Sequence, residues 1–123
     1  MDWNTLILND SQYKVIREPH IDELYKKQRL MYKNYNKYIL DTYLNNKLYN
    51  LQKNKYPYYL KKNIKHYVLW LNPMLKSKYI YDKKNIHKLL KNLIKNKEFH
   101  FYMNSIDNRS IKTIPHYQVF IKT

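Results

Sequence analysis

The chain contains no glycine among its 123 residues. Glycine adopts left-handed backbone conformations at little cost and lets a backbone approach a phosphate group closely. Its absence excludes the glycine-rich turn of dinucleotide-binding domains, the P-loop and the G-x-S-x-G elbow that presents a nucleophilic serine. Any nucleotide or ester chemistry in this protein must therefore be built without those loops.

Cysteine is absent as well, which excludes disulfides, thiolate zinc sites and cysteine nucleophiles. No apolar run approaches the roughly 18 residues that a membrane span requires, and the N-terminal stretch lacks the basic segment of a secretory signal. We therefore expect a cytoplasmic protein without a membrane partner; for a viral protein, this means the host cytoplasm or the virion.

The chain is strongly basic, with 24 lysines and arginines against 9 acidic residues and a formal net charge of +15. Only Arg17, Arg29 and Arg109 are arginines, although arginine dominates the planar recognition of phosphate and guanine. Lysine, asparagine, tyrosine and isoleucine make up more than half of the chain, a bias that indicates an AT-rich genome such as that of a large DNA virus. The charge therefore predicts salt-sensitive attraction to polyanions rather than sequence-specific reading of DNA.

Two helices are predicted from apolar residues three and four positions apart. The first covers residues 21–51, where a break near Asn34 or Asn36 would instead give two helices. The second covers residues 86–95, with Asn85 as its cap. The tyrosines of the first helix are interpreted as helix-to-sheet packing rather than as a platform for stacking bases.

Alternating patterns predict strands over residues 64–71, 99–103 and 115–122. The first of these strands is apolar on both faces, as a central strand is. Residues 6–8 favour a short strand or a turn. The order of elements predicts a single domain, residues 1–123, of the α+β class, with a small antiparallel sheet and helices packed on one face.

His116 and Gln118 are the most informative polar residues, because side chains two apart in a strand point to the same face. We predict a ligand site with these two residues as catalytic candidates. Ligand-binding candidates are on the neighbouring strand and in the preceding polar loop: His66, Asn104, Arg109 and Ser110. Alternatively, His116 and Gln118 form the polar face of an edge strand, and the loop residues are turn formers.

His66, His100 and His116 are the only combination that suggests a metal. The more ordinary interpretation is a half-buried His66 hydrogen-bonded to backbone or tyrosine. We therefore predict neither a metal site nor a cofactor.

A set of short motifs occurs in a recognisable order: Tyr56-Pro57-Tyr58, residues 64–70 (IKHYVLW), residues 101–104 (FYMN), Ser110-Ile111 and His116-Tyr117-Gln118-Val119. The set resembles the N-acetylglucosamine-induced proteins, a fungal family also found in large DNA viruses. Members of that family carry a WPYG-like motif, an I-x-H-x-x-V-W strand, a W-F-x-N motif and a closing H-x-H-V strand. The resemblance covers residues 13–121 and aligns Arg17 with the family's arginine before a tyrosine-rich helix.

The chain departs from that pattern at Tyr58, where the family has glycine, and at Gln118, where it has a second histidine. A reaction that needs both histidines would be lost here. The closing strand also resembles the histidine-triad nucleotidyltransferases, in which a glutamine follows the nucleophilic histidine by two residues. In that analogy Ile114 stands at the first triad position, which is normally histidine.

These features lead us to expect a small protein that binds a phosphate-bearing ligand, either a nucleotide or a sugar phosphate. The residues leave open whether it is an enzyme. A degenerate phosphoester hydrolase or transferase would use His116 to attack or deprotonate, Gln118 to hold phosphoryl oxygens and Arg109 to neutralise charge. The alternative is a non-enzymatic basic protein that binds nucleic acid or joins a larger assembly.

Overall fold

A computed structural model of the chain describes residues 1–8, 17–31, 34–73, 82–103 and 114–123. Its elements, in chain order, are α1 (Trp3–Leu8), α2 (Pro19–Met31), α3 (Tyr35–Ile39) continued by a π-helical turn (Leu40–Leu44), β1 (Tyr49–Lys53), β2 (Ile64–Leu71), α4 (Lys83–Leu93), β3 (Phe99–Tyr102) and β4 (His116–Lys122). Each of these helices is too short or too polar to cross a membrane.

The four strands form one antiparallel sheet in the order β1-β2-β4-β3. The two longest strands, β2 and β4, lie in the centre, which confirms the predicted central strand at residues 64–71. In the β2–β4 register, Val68 lies opposite Gln118 and Trp70 lies opposite His116. Directly opposed residues share a face, so the polar pair of β4 projects on the same side as the His66 face of β2.

Helices cover both faces of the sheet. The helix α4 packs Ile86 and Leu90 against one face, next to buried Leu69 and Val119. On the other face, Leu6 of α1 packs against Phe120 of β4. Ile39 and the π-helical turn pack against Val68 and Trp70 of β2 and against Ile114, which precedes β4. The α+β class is confirmed, but helices lie on two faces rather than one, because central strands that are apolar on both sides need two covers.

The predicted helix over residues 21–51 is divided into several elements. A break at Asn34 is confirmed, since the Asn34 side chain accepts a hydrogen bond from the Lys37 backbone N–H at 3.1 Å and begins α3. The last part of that prediction is wrong, because residues 49–53 form the edge strand β1. Asn45 and Asn46 turn the chain between them with positive φ angles of 38° and 66°, in a conformation that asparagine tolerates better than most residues.

Two predicted boundaries also differ. Residues 6–8 are helical rather than extended, in a helix whose first turn is closed by a 2.8 Å hydrogen bond from the Thr5 N–H to Asp2. The helix α4 begins at Lys83 because Asp82, not Asn85, is its cap. The Asp82 carboxylate accepts hydrogen bonds from the backbone N–H groups of Lys84 and Asn85 at 3.0 and 3.3 Å.

Replacing Asp82 with alanine should lower the free energy of unfolding by about 1 kcal/mol, because two N–H groups of the first turn lose their acceptor. Asp82→Asn is the matched control, since asparagine caps helices about as well as aspartate. Chemical denaturation measures both variants. Equal stability of Asp82→Ala and the wild type would show that this cap does not hold α4 in place.

Candidate functional site

A cavity of about 50 Å³ lies on the face of the sheet opposite α4. Its floor is buried sheet, formed by Val68, Trp70, His116 and Gln118. Its walls come from Arg17, α2, α3 and the π-helical turn, and its rim from the end of β1 and the segment that follows it. These residues are Arg17, Tyr25, Gln28, Tyr35, Ile39, Tyr43, Gln52, Lys53, Asn54, Lys55 and Tyr56. Since one water needs roughly 10–15 Å³ by this measure, the cavity holds a group the size of a small anion.

His116 and Gln118 both reach this cavity from a central strand, so they are not the polar face of an edge strand. His116 Nδ1 lies 2.8 Å from the Ile114 carbonyl oxygen. A carbonyl oxygen only accepts, so Nδ1 carries a proton, and Nε2 holds the lone pair whenever the ring is neutral. The ring also packs against Trp70, with centroids 4.9 Å apart. His116 is therefore held in a fixed tautomer and orientation.

Gln118 is joined to His66 across the two central strands. His66 Nε2 lies 2.6 Å from Gln118 Oε1, and His66 Nδ1 accepts a hydrogen bond from the Tyr58 backbone N–H at 3.1 Å. Burial lowers the pKa of His66 to about 3, outweighing the opposing effect of the Gln118 hydrogen bond. His66 is therefore neutral at physiological pH and lies behind Gln118 rather than in the cavity lining.

Arg17 supplies the charge at the side of the cavity. Its guanidinium lies 4.2 Å from the centroid of the Tyr25 ring, and Nε donates to the Tyr56 carbonyl oxygen at 2.7 Å. Nη1 approaches Asp22 at 3.5 Å. A guanidinium has five N–H donors in a rigid plane, so these contacts fix its orientation without exhausting its donors.

A second oriented amide faces the cavity from α2. The Tyr35 hydroxyl donates to Gln28 Oε1 at 3.1 Å, and burial raises the pKa of Tyr35, which keeps this hydroxyl protonated. The oxygen of Gln28 is thus engaged, as the oxygen of Gln118 is. The N–H groups are the ends of both amides that remain to meet a ligand.

The lining is cationic. Arg17, Lys53 and Lys55 contribute positive charge, and within the described ranges no carboxylate lines the cavity. Asp22 approaches Arg17 from outside the lining and also pairs with Lys26 at 3.0 Å. Cations, amide N–H groups and aromatic walls together favour an anion attached to a flat or apolar body.

Described tyrosines of α2, α3 and the π-helical turn form much of the wall. Tyr35, Tyr38 and Tyr43 pack against the cluster that contains Val68 and Trp70, as predicted, whereas Tyr32 lies outside the described residues. Tyr43 stacks on Trp70, with ring centroids 6.0 Å apart and an interplanar angle of 3°. Tyr25 packs against Tyr56 with ring centroids 5.4 Å apart. Their rings fill the space between helix and sheet.

The structure brings together His66, His116 and Gln118 among the predicted site residues. The other three, Asn104, Arg109 and Ser110, lie outside the described residues. Arg17 and Gln28 were not predicted as site residues. Gln28 had a detectable signal, since it is a polar residue within the otherwise apolar and aromatic stripe of α2.

The three histidines with metal potential do not converge. His66 and His100 both lie opposite Phe120 on its two sides, and His116 lies at the far end of β4. Within the part of the chain that the structure describes, no group of three His, Asp or Glu side chains is placed to hold a metal ion.

The fold and the cavity define a small α+β protein with a cationic cavity on one face of a four-stranded sheet. Residues 9–122 match a family described as a protein of unknown function, DUF3605, and the chain belongs to that family. The crystal structure of a protein called HTC1 has the same fold, with a TM-score of 0.69 and 16% sequence identity over 99% of this chain and 85% of that chain. No curated protein matches the sequence.

Proposed function

We propose that the protein binds a phosphate-bearing small molecule, a nucleotide or a sugar phosphate, in the cavity above β2 and β4. The observation that carries this proposal is the guanidinium of Arg17 fixed at the side of a cavity whose floor is the Gln118 amide. Charge-assisted hydrogen bonds from arginine are among the strongest contacts that a phosphate makes. The cavity takes the phosphate, and the body of the ligand extends past the exposed Lys53 and Lys55 at the rim.

An enzymatic form of this proposal assigns the chemistry to His116. Its Nε2 would either attack a phosphoryl group, forming an N–P bond while the P–O bond to the leaving group breaks, or accept a proton from an attacking water. Gln118 would hold the phosphoryl oxygens, and Arg17 would take the neutralising role expected of Arg109. The resemblance to histidine-triad enzymes supports a phosphoester hydrolase or transferase. The departure of Gln118 from the closing strand of the N-acetylglucosamine-induced proteins supports one that has lost its second histidine.

The competing proposal is a basic protein that binds nucleic acid or joins a larger assembly. It is favoured by the exposed lysines on the outer surface of α4, at positions 83, 84, 88 and 91. This surface lies on the opposite side of the sheet from the cavity, so substitutions can separate the two proposals.

The test is ligand-induced thermal stabilisation, using inorganic phosphate, AMP, a hexose phosphate and a short single-stranded DNA at low and physiological salt. Gln118→Glu alters the cavity with almost no change of shape, and the double variant Lys88→Gln/Lys91→Gln alters the α4 surface. A specific ligand at about a hundred times its dissociation constant should stabilise the wild type by about 2.7 kcal/mol. The stabilisation should persist at physiological salt and disappear only in Gln118→Glu.

The opposite pattern would refute the proposed function. Stabilisation by DNA alone, lost at physiological salt and in Lys88→Gln/Lys91→Gln but kept in Gln118→Glu, identifies a basic surface as the binding site. Such a result follows from counterion release, which makes polyanion binding weaken steeply with salt.

A further inference from the structure

The side chain of His66 cannot exchange its hydrogen-bonding roles. The Tyr58 N–H can only donate, so Nδ1 must be an acceptor and the proton of the neutral ring must be on Nε2. Nε2 therefore donates to Gln118 Oε1 over the 2.6 Å contact. A backbone group thus determines the tautomer, and the tautomer determines the direction of the hydrogen bond to Gln118.

The ring is also prevented from turning over. It contacts the ring of Tyr58 at 4.4 Å and that of Phe120 at 4.7 Å, measured between ring centroids, and its exposure is 3%. A half-turn about the Cβ–Cγ bond would put carbon atoms where both nitrogens now bond. Burial also keeps the ring neutral, so the acceptor at Nδ1 persists across the physiological pH range.

A glutamine amide has two ends of nearly the same shape and opposite hydrogen-bonding character. Without a partner, its oxygen and nitrogen can exchange places by rotation of the terminal torsion, and the cavity would meet an acceptor as often as a donor. His66 fixes the orientation of the Gln118 amide, because the Nε2–H of His66 donates to the amide oxygen. The two N–H groups of Gln118 are the ends that remain for the cavity.

We propose that His66 is a positioning residue that fixes the Gln118 amide with its N–H groups toward the ligand, so that the site accepts an oxyanion there and rejects an ammonium group, which can only donate. This inference rests on the proposed function, and it adds the selectivity of the site and its cause. His66 on β2 would thus act on the ligand through Gln118, without contacting the ligand itself.

Two substitutions separate positioning from a merely structural role. The amide nitrogen of glutamine in His66→Gln reaches the position of Nε2, so this variant keeps a donor for Gln118 and loses the acceptor for Tyr58. The oxygen of asparagine in His66→Asn lies near the position of Nδ1, so this variant keeps the acceptor for Tyr58 and loses the donor for Gln118. Positioning predicts that binding follows the bond to Gln118, whereas a structural role predicts that binding follows overall stability.

The experiment is a titration of ¹⁵N-labelled wild type, His66→Gln and His66→Asn with inorganic phosphate, followed by NMR, with the unfolding free energy of each protein measured in parallel. The free wild type should show the Nε2–H tautomer of His66. His66→Gln should keep phosphate affinity close to that of the wild type, because it can still donate to Gln118. His66→Asn should lose about twofold, because its Gln118 presents the N–H groups to the cavity in only about half of the molecules.

The outcomes that overturn this inference differ from those that overturn the proposed function. An Nδ1–H tautomer, or a loss of affinity in the two variants that tracks their stability, removes the positioning role while phosphate still binds the wild type. A wild type that shows the Nε2–H tautomer but binds neither inorganic phosphate nor any compound of the thermal-shift panel removes the phosphate site itself, and the inference with it.

Discussion

Replacing Arg17 with glutamine should weaken the binding of a phosphate-bearing ligand by about tenfold to a hundredfold, which corresponds to the roughly 1.5–3 kcal/mol of a hydrogen bond to a charged group. The guanidinium is the most buried cation of the lining, with 15% of its side chain exposed. Its charge is therefore poorly screened by solvent, unlike that of exposed Lys53 and Lys55. Isothermal titration with the ligand found by thermal shift measures the loss.

Arg29→Gln is the matched control for Arg17. Arg29 also lies over tyrosine rings, 5.9 Å from the centroid of Tyr25 and 5.5 Å from that of Tyr35, but it is not part of the cavity lining. The variant Arg29→Gln removes the same charge from the same region but not from the cavity, so its affinity should stay within about twofold of that of the wild type. Equal losses in the two variants would mean that overall positive charge, and not the cavity, attracts the ligand. Arg17→Lys keeps the charge without the planar fork and should give an intermediate affinity.

Acidification should destabilise the protein before its carboxylates titrate. Burial lowers the pKa of His66 from 6.5 to about 3 in the folded chain. Between these two values the unfolded chain binds a proton at this position and the folded chain does not, so stability falls as the pH falls through this window. The slope approaches about 1.4 kcal/mol per pH unit, and urea denaturation from pH 7 to 5 measures it.

His66→Gln separates this effect from all other titrations. The variant starts from a lower stability at neutral pH, because the buried Tyr58 N–H loses its acceptor, but its stability should change less between pH 7 and pH 5 than that of the wild type. His87→Gln, which replaces an exposed histidine of α4, should retain the wild-type slope. A His66→Gln protein as acid-sensitive as the wild type would show that another group is responsible for the pH dependence.

The sheet was largely predictable from the sequence, and its edge was not. The pattern at Ile64–Leu71 is long and is ended by Pro73, so the predicted bounds agree with β2. The edge strand β1 alternates only over the four residues from Tyr49 to Gln52, which is too short a run to outweigh the helical spacing before it. Its residues continue the helical spacing of the preceding segment, and only pairing with β2 makes them a strand.

The floor of the site was predictable for the same reason that β4 was. Strand alternation places His116 and Gln118 on one face, and the alternation of β2 identifies His66 as the residue that can meet them. Arg17 and Gln28 reach the cavity through the packing of α2 on the sheet. The sequence periodicity of one element says nothing about its distance from another element. The positions of Arg17 and Gln28 in the site therefore follow only from the fold.

The turns of the structure also form without glycine. Asn45, Asn46 and Asn96 have positive φ angles, where glycine is the usual residue. Asparagine occupies that region more readily than other side chains do. The absence of glycine therefore excluded particular phosphate-binding loops without excluding the tight turns that a four-stranded sheet needs.

The hydrogen bond between His66 and Gln118 joins residues 52 positions apart in the chain. Such distant pairings form late and slowly, because the chain must close a long loop before the contact is gained. The floor of the cavity is thus complete only when the two central strands, β2 and β4, have paired. A ligand that needs this floor will bind the native state and not partly folded states. It should therefore lower the rate of unfolding and leave the rate of folding unchanged.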